Sequence, residues 1–213
     1  MTRGDFYASA FGAFYSAYME RPWLARRISR LVWGGDLDPY YASMAAIGEV
    51  PEGGVIVDCP CGAGPALRLA PPRPGVRYVA VDLSPSMLSR ARSRALDGGL
   101  ADVELIRAQA ADVPLPSMSA DLFLSFWGLH CFPDPAAAIA EAARLLALGG
   151  RLVGCAFVRG ADTFRQRMLI RPGLGDFGQV PTAAEVSAHL ARAGLEIDST
   201  ERRGPMLYFT AHR

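Results

Sequence analysis

The chain has 213 residues, of which 51% are hydrophobic and 20% are charged, which is typical of one globular domain of ordinary size. Its net charge of +1 gives no electrostatic reason to expect a nucleic-acid partner, and all 22 basic residues are arginines, which excludes a Schiff-base lysine. No apolar run reaches the ~18 residues of a membrane span, and no signal peptide opens the sequence. We therefore expect a cytoplasmic protein without stable membrane insertion.

Residues 1–50 are predicted to be helical and aromatic. A set of aromatic residues recurs at spacings of three and four, which indicates one apolar helix face: Phe6, Tyr7, Phe11, Phe14, Tyr15 and Tyr18. A second helix is predicted over 23–32, and Asp38-Pro39 begins a third that continues through Ile47. Two interpretations stay open. These helices either cover one edge of a sheet or form an N-terminal cap that also lines a substrate pocket.

From residue 53 onward, strand and helix patterns alternate, which predicts βαβ units and a parallel sheet. The predicted strands are 55–58, 76–82, 103–107, 121–126, 151–157, 195–202 and 206–212. One helix is predicted to end at Gly149-Gly150, and Thr182 with Glu185 forms a capping box for the last helix. The short turn Gly204-Pro205 requires its two strands to be antiparallel. The irregular segment 158–181 is expected to close over a site together with residues 1–50.

The most informative stretch runs from Val55 to Gly64, a buried strand that ends at Asp58 and enters a small-residue loop. Gly62 and Gly64 permit a tight turn through which a ligand can approach backbone N–H groups. A second acid, Asp82, closes the next apolar strand, where a carboxylate can hold the two hydroxyls of a ribose. The sequence therefore predicts a nucleoside-binding α/β site.

Two departures point away from dinucleotide enzymes. Leu67 stands where their third loop glycine would be, and Asp58 would repel a pyrophosphate but suit a positively charged ligand group. The four cysteines and three histidines show no zinc-ligand spacing, so no metal site is predicted, and the thiols are interpreted as small buried side chains in a reducing compartment.

Several motifs, in this order, resemble the class I S-adenosylmethionine-dependent methyltransferases. They are Val55–Gly64, Val79–Met87, Ala108–Leu115, Ala120–Phe126, Leu129–Asp134 and Arg144–Leu152. The resemblance covers about residues 53–213. It implies a Rossmann-like, doubly wound seven-stranded α/β sheet with an antiparallel last strand in a domain of residues 51–213, preceded by the helical cap of residues 1–50.

The resemblance also implies roles for individual residues. The methionine end of the cofactor would be wrapped by Asp58, Cys59, Pro60, Cys61, Gly62 and Gly64, with Asp58 near its ammonium, directly or through water. Asp82 would take the ribose hydroxyls, and Leu83 and Met87 would sandwich the adenine. The adenine edge would meet Ala111, Asp112 and the Val113 N–H, and Phe126 and Trp127 would border the transferred methyl. Pro60 replaces a more usual glycine and offers one N–H fewer.

The acceptor pocket is expected to include Phe14, Tyr15, Tyr18, Trp127 and His130. His130 is a candidate general base, or else a loop histidine that fixes the backbone. The acceptor is expected to be a small, fairly hydrophobic molecule, methylated on oxygen or carbon as in quinone methyltransferases, with S-adenosylhomocysteine as the product. A methyltransferase-like protein that binds the cofactor without turnover and a nicotinamide-dependent oxidoreductase stay as alternatives, and a homodimer is left open.

Overall fold

The computed structural model describes residues 21–32, 34–160 and 179–213. Their helices are α1 (Pro22–Val32), α2 (Asp38–Ser43), α3 (Ala45–Glu49), α4 (Pro65–Leu69), α5 (Pro85–Asp97), α6 (Pro135–Leu145) and α7 (Ala183–Arg192). Their strands are β1 (Val55–Asp58), β2 (Arg77–Asp82), β3 (Glu104–Arg107), β4 (Ala120–Phe126), β5 (Leu146–Phe157), β6 (Glu196–Arg203) and β7 (Met206–His212).

These strands form one seven-stranded sheet in the order β3-β2-β1-β4-β5-β7-β6. Strands β1 to β5 are parallel to one another, whereas β7 is antiparallel to both β5 and β6. This confirms the predicted Rossmann-like α/β fold and its antiparallel last pair. Strand order reverses between β1 and β4, so a crevice is expected beyond the carboxyl ends of these strands. Asp58, Asp82 and Phe126 each end a strand at this edge.

Helices cover both faces of the sheet, which explains why its central strands are almost wholly apolar. Helices α1 to α5 contribute to a core on one face that includes Tyr40, Ile56 and Tyr78. On the opposite face, α6 and α7 pack over Val57 and Val79. The alternation of neighbouring residues between the two cores is the period of a β-strand. The described part of the N-terminal region, residues 21–50, therefore shares a core with the sheet.

The helix starts follow from local chemistry. The predicted capping box is present, since the Thr182 hydroxyl accepts from the Glu185 N–H at 3.1 Å while the Glu185 carboxylate accepts from the Thr182 N–H at 2.6 Å. Asp134 caps α6 by accepting from the Ala137 N–H at 3.0 Å. No helix among the described residues is long and apolar enough to cross a membrane.

Two predicted boundaries are wrong. The pair Gly149-Gly150 does not end α6, which stops at Leu145, but lies inside β5. The register of β5 against β4 shifts at this point, and Gly149 adopts φ 77°. A Cβ on Gly150 would come within 2.8 Å of the Ala120 carbonyl oxygen. The two glycines therefore form an irregularity within the strand.

The helix predicted from Asp38 through Ile47 is divided into α2 and α3. Near the division, the Ile47 N–H bonds at 3.1 Å to the carbonyl of Met44, three residues back, which is the tighter 3₁₀ pattern.

Candidate active site

The loop after β1 uses its backbone N–H groups to hold its own shape. Four of them donate within the protein at 2.9 Å: Cys59 to the Leu124 carbonyl, Cys61 to the Val81 carbonyl, Gly62 to the Asp82 carboxylate and Gly64 to the Cys61 carbonyl. Pro60 has no N–H to offer. The expectation that these N–H groups face a ligand is therefore wrong for these positions. A loop with its donors engaged is poorly suited to a phosphate and better suited to a ligand group that donates hydrogen bonds.

Pro60 is accommodated by a glycine from another loop. A Cβ on Gly128 would lie 2.4 Å from Pro60 Cδ and 2.7 Å from Phe132 Cζ. A side chain at position 128 would therefore displace the Pro60 ring. This packing explains how the loop tolerates the proline that departs from the family pattern.

Asp82 links the end of β2 to this loop. Its Oδ2 accepts from the Gly62 N–H and its Oδ1 accepts from the Ser84 N–H, both at 2.9 Å. Burial raises the pKa of the Asp82 carboxyl, although these N–H donors oppose the shift. The Leu83 N–H also acts on this carboxylate. Because a carboxylate has about four acceptor sites, Asp82 retains some acceptor capacity, and its contact with both ribose hydroxyls stays a prediction.

Asp58 lies beneath the loop, with only 2% of its surface exposed. Its Oδ2 accepts from the Tyr78 hydroxyl at 2.7 Å. Burial raises the pKa of Asp58 to about 7, the Tyr78 hydrogen bond lowers it, and the nearby Asp82 raises it. Within the described residues no arginine or histidine pairs with this carboxyl. Sequence reasoning missed Tyr78, whose signal was a hydroxyl-bearing residue in an otherwise apolar strand.

The residues predicted around an adenine lie in different environments. Leu83 is 58% exposed just after β2, whereas Met87 is buried in the first turn of α5. Arg107 donates to the Leu83 carbonyl at 3.2 Å, which attaches this turn to the end of β3. Leu83 is thus available to cover a ligand, and the sandwich with Met87 stays a prediction.

The segment after β3 differs from the prediction in one of its three proposed adenine contacts. Ala111 and Asp112 are exposed, as a ligand contact would need, and the Asp112 N–H donates to the Gln109 carbonyl at 3.0 Å. The Val113 N–H donates to Glu141 Oε1 at 2.8 Å in a buried contact. The prediction that this N–H contacts an adenine is therefore wrong, because its donor is already engaged.

Glu141 and Arg144 of α6 fasten this segment, a role that sequence reasoning missed. Glu141 is 8% exposed. Its Oε2 accepts a hydrogen bond from Arg144 Nε at 2.7 Å, and its Oε1 accepts one from Arg144 Nη2 at 2.8 Å. The Arg144 guanidinium also donates to the Val113 carbonyl at 3.1 Å and to the Leu115 carbonyl at 3.0 Å. Burial raises the pKa of Glu141, but Arg144 and the Val113 N–H outweigh it and lower that pKa overall. The only sequence signal was an acid and an arginine three residues apart in an alanine-rich helix.

Aromatic rings collect at the carboxyl end of β4. The centroid of the Tyr40 ring lies 5.2 Å from the Phe126 ring centroid and 5.6 Å from the Trp127 ring centroid. The centroids of the Trp127 and Phe157 rings are 5.3 Å apart. Trp127 adopts φ 59°, which turns the chain away from the strand. Its buried Nε1–H makes no hydrogen bond of normal geometry to the described residues. It lies close enough to the Tyr40 hydroxyl to lower the pKa of that group, against the larger rise that burial causes. These rings form a buried apolar cluster at this edge of the sheet, and the acceptor pocket stays a prediction.

His130 is fixed to the protein backbone. Its Nδ1 accepts from the Phe157 N–H at 3.2 Å. The centroids of the His130 and Phe157 rings lie 5.0 Å apart, with the ring planes 76° to each other. Burial lowers the pKa of His130 to about 3, so the ring is neutral at physiological pH. This geometry favours the interpretation of a histidine that fixes the loop over that of a general base.

Other predicted site residues lie outside the described part of the chain. These are Phe14, Tyr15 and Tyr18, together with most of the segment 158–181. Among the described residues, no three acidic, cysteine or histidine side chains are grouped so that they could hold a metal ion.

Comparison with known proteins identifies the family. A family model described as "Methyltransferase domain" matches residues 57–154, which include the β1 loop, Asp82, the segment after β3 and the end of β4. The matched residues form a domain of the class I S-adenosylmethionine-dependent methyltransferase family. It resembles the solved structure of a geranyl diphosphate methyltransferase in complex with S-adenosylmethionine, with a TM-score of 0.70 at 18% identity over 81% of this chain and 83% of that one. At 18% identity, this similarity shows that the two proteins share a fold.

Two curated relatives show how far the likeness in sequence extends. The chain is 34% identical to 27-O-demethylrifamycin SV methyltransferase of Amycolatopsis mediterranei, over 68% of this chain and 55% of that protein. It is 39% identical to U6 snRNA (guanine-N(2))-methyltransferase THUMPD2 of Bos taurus, over 39% of this chain and 17% of that protein. The chain thus spans about half or less of the length of these relatives.

The described residues fit the cofactor of this family, which carries an ammonium, a ribose and an adenine. Asp58 is a buried carboxyl that no described cation balances, and the loop above it has its N–H donors engaged. Such a site suits a cationic amino group and disfavours a pyrophosphate. Asp82 retains acceptor capacity at the end of the next strand, where the ribose would lie. Asp58 and Asp82 would therefore hold the methionine end and the ribose of the methyltransferase cofactor.

We expect Glu141→Gln to lower the free energy of unfolding of the methyltransferase by about 1–3 kcal/mol, because it weakens buried hydrogen bonds to a charged group. Affinity for S-adenosylhomocysteine should fall as well, since the segment that contains Asp112 and Val113 would be held less firmly. Urea denaturation and calorimetry measure the two effects.

The matched control is Glu104→Gln, whose carboxylate pairs with Arg77 at 2.6 Å on the surface. Such exposed pairs contribute at most about 1 kcal/mol. Equal losses of stability in both variants would contradict the role assigned to Glu141.

Proposed function

We propose that the chain binds S-adenosylmethionine at the carboxyl ends of β1, β2 and β4 and transfers its methyl group to a small, hydrophobic acceptor on oxygen or carbon. The observation that carries this proposal is the pair of acids at one sheet edge, Asp58 and Asp82, below and beside a loop with few free donors. The family assignment supports the cofactor, and the similarity to a rifamycin methyltransferase of Amycolatopsis supports a small-molecule acceptor.

When bound, the cofactor supplies a methyl group on a sulfonium, which is a good electrophile. The protein's part is then to place a nucleophile behind that methyl and to exclude water, and alignment of this kind can contribute on the order of 7–11 kcal/mol. An apolar cluster lies beside the strand ends where the acceptor would bind, and it consists of Tyr40, Phe126, Trp127 and Phe157. The Trp127 Nε1–H makes no normal hydrogen bond to the described residues, and we propose it as a donor to that acceptor.

The acceptor we propose loses its proton readily. His130 is neutral, its Nδ1 is engaged by the Phe157 N–H, and its pKa of about 3 makes it a poor base. A phenol or enol, such as those of quinone precursors and polyketides, would need little help to ionise. We also propose that Phe14, Tyr15 and Tyr18 line the acceptor pocket. The proposed domains are a cap of residues 1–50 and a cofactor-binding domain of residues 51–213.

A second candidate acceptor is RNA, since the bovine relative is named as a U6 snRNA methyltransferase. The net charge of +1 does not favour it, because phosphate contacts with arginines dominate RNA binding. Methyl transfer from labelled S-adenosylmethionine to a panel of phenols, quinols and polyketides, with total RNA as a separate arm, distinguishes the two. Cofactor binding without transfer to any member of either arm would support the alternative of a non-catalytic binding protein.

S-adenosylmethionine and S-adenosylhomocysteine are expected to bind, and NADH is not. A ligand that binds only the folded state at a hundredfold excess over its Kd should stabilise the fold by about 2.7 kcal/mol. Thermal unfolding with each ligand, followed by calorimetry, is the measurement. Stabilisation by NADH alone would overturn the proposed cofactor and favour an oxidoreductase.

A further inference from the structure

Tyr78 and Asp58 form a buried pair on neighbouring strands. Tyr78 pairs in register with Ile56, two residues before Asp58, so the two side chains lie on the same face of the sheet. Tyr78 is 1% exposed, and its hydroxyl oxygen lies 2.7 Å from Asp58 Oδ2. This distance lies within the range expected for a hydroxyl that donates to a carboxylate.

The surroundings of Asp58 contain acids and neutral groups. Beside Tyr78 and Asp82 of β2, the titratable groups that face it are the two thiols of its own loop and a tyrosine of α2: Cys59, Cys61 and Tyr40. Asp58 raises the pKa of each of these three groups, in addition to their burial. Among the residues that the structure describes, the Tyr78 hydroxyl is thus the interaction that favours the ionised form of Asp58.

We propose that Tyr78 is a positioning residue of the cofactor site: its hydroxyl favours the ionised form of the Asp58 carboxyl and orients it for a cationic ligand group. Ligand binding is then coupled to release of the Asp58 proton to solvent. This rests on the proposed function, because the cationic group is the ammonium of the methionine end. The neutral carboxyl favoured by burial must lose its proton before it can balance that ammonium.

The coupling predicts the pH dependence of binding. Because the pKa of Asp58 is raised to about 7, the protein without ligand is protonated there below pH 7 and ionised above it. The association constant for S-adenosylhomocysteine should therefore rise about tenfold per pH unit between about pH 5.5 and 7 and level off above this range. Calorimetry in buffers of different ionisation enthalpy should find close to one proton released at pH 6 and close to none at pH 8.5.

Tyr78→Phe removes only the hydroxyl. Its loss should move the break in the binding profile upward by roughly 1 pH unit, which is the size expected for one hydrogen bond to a charged group. The matched control is Tyr208→Phe, because Tyr208 is another buried tyrosine, and its hydroxyl donates to the Asp36 carbonyl at 2.6 Å instead. That variant should leave the break unmoved. In the wild-type protein without ligand, the carbon-13 resonance of the Asp58 carboxyl reports the same titration without any substitution.

The outcomes separate the two proposals. If the wild-type protein binds neither adenosyl ligand at any pH, the proposed function fails. If it binds S-adenosylhomocysteine with the same affinity from pH 5.5 to 8.5, or if a folded Tyr78→Phe protein keeps the wild-type break, the role of Tyr78 is wrong while the proposed function stands.

Discussion

Asp82→Ala should weaken the binding of S-adenosylhomocysteine by more than a hundredfold. Two ribose hydroxyls that donate to one carboxylate contribute about 1.5–3 kcal/mol each, and each 1.4 kcal/mol is a factor of about ten in affinity. The structure adds a second effect, because Asp82 also receives the N–H groups of Gly62 and Ser84 at 2.9 Å. The free energy of unfolding should therefore fall by about 1–3 kcal/mol as well. Calorimetry and urea denaturation measure the two losses.

Asp121→Ala is the control for this variant. Its carboxylate accepts from the Val55 N–H at 2.8 Å, at the opposite end of β1 from the proposed site. That variant should lose some stability and keep its affinity. If Asp82→Ala and Asp121→Ala bind S-adenosylhomocysteine equally well, Asp82 does not hold the ribose.

Asp58→Asn should stabilise the protein without ligand at pH 8 while abolishing measurable cofactor binding. Burial raises the pKa of Asp58 from 3.8 to about 7 in the folded protein. The carboxyl therefore contributes stability that is fully present below pH 3.8 and is lost as the pH rises through 7. Since asparagine does not ionise, the gain in free energy of unfolding should be about 2–3 kcal/mol larger at pH 8 than at pH 5.

Urea denaturation at both pH values measures this gain, with Asp121→Asn as an exposed control that should show no comparable difference. An equal change for Asp58→Asn at pH 5 and pH 8 would show that burial of the charge does not destabilise the fold. If the gain is found, the ionised Asp58 carboxylate lowers the free energy of unfolding of the protein without ligand, and its role is to bind the cofactor.

The fold was predictable because its signals are local. Apolar runs such as Tyr78–Val81, and glycines such as Gly62 and Gly64 at strand ends, mark strands and turns without knowledge of their neighbours. The wrong boundary at Gly149-Gly150 arose from the same local logic. Two glycines after a helix usually end it, but here the pairing of Ala120 with Leu146 extends β5 back to the end of α6.

The contacts that complete the site were not predictable, since each depends on which elements become neighbours. Tyr78 reaches Asp58 only because β2 pairs with β1, and Glu141 receives the Val113 N–H only because α6 packs beside that segment. The interpretation of the β1 loop as a set of free N–H donors failed for the same reason. Three of its four engaged donors bond to a carbonyl of β2, a carbonyl of β4 and the Asp82 carboxylate, which are all distant in sequence, and only Gly64 bonds within the loop.

The most direct test of the proposed cofactor site is a crystal structure of the protein grown with S-adenosylhomocysteine at pH 8. We predict one ligand across the carboxyl ends of β1, β2 and β4, with its ammonium bound at the Asp58 loop, directly or through one water, and both ribose hydroxyls within hydrogen-bond distance of Asp82. A ligand bound elsewhere on the sheet, or one in this crevice whose ribose does not contact Asp82, would contradict the proposal.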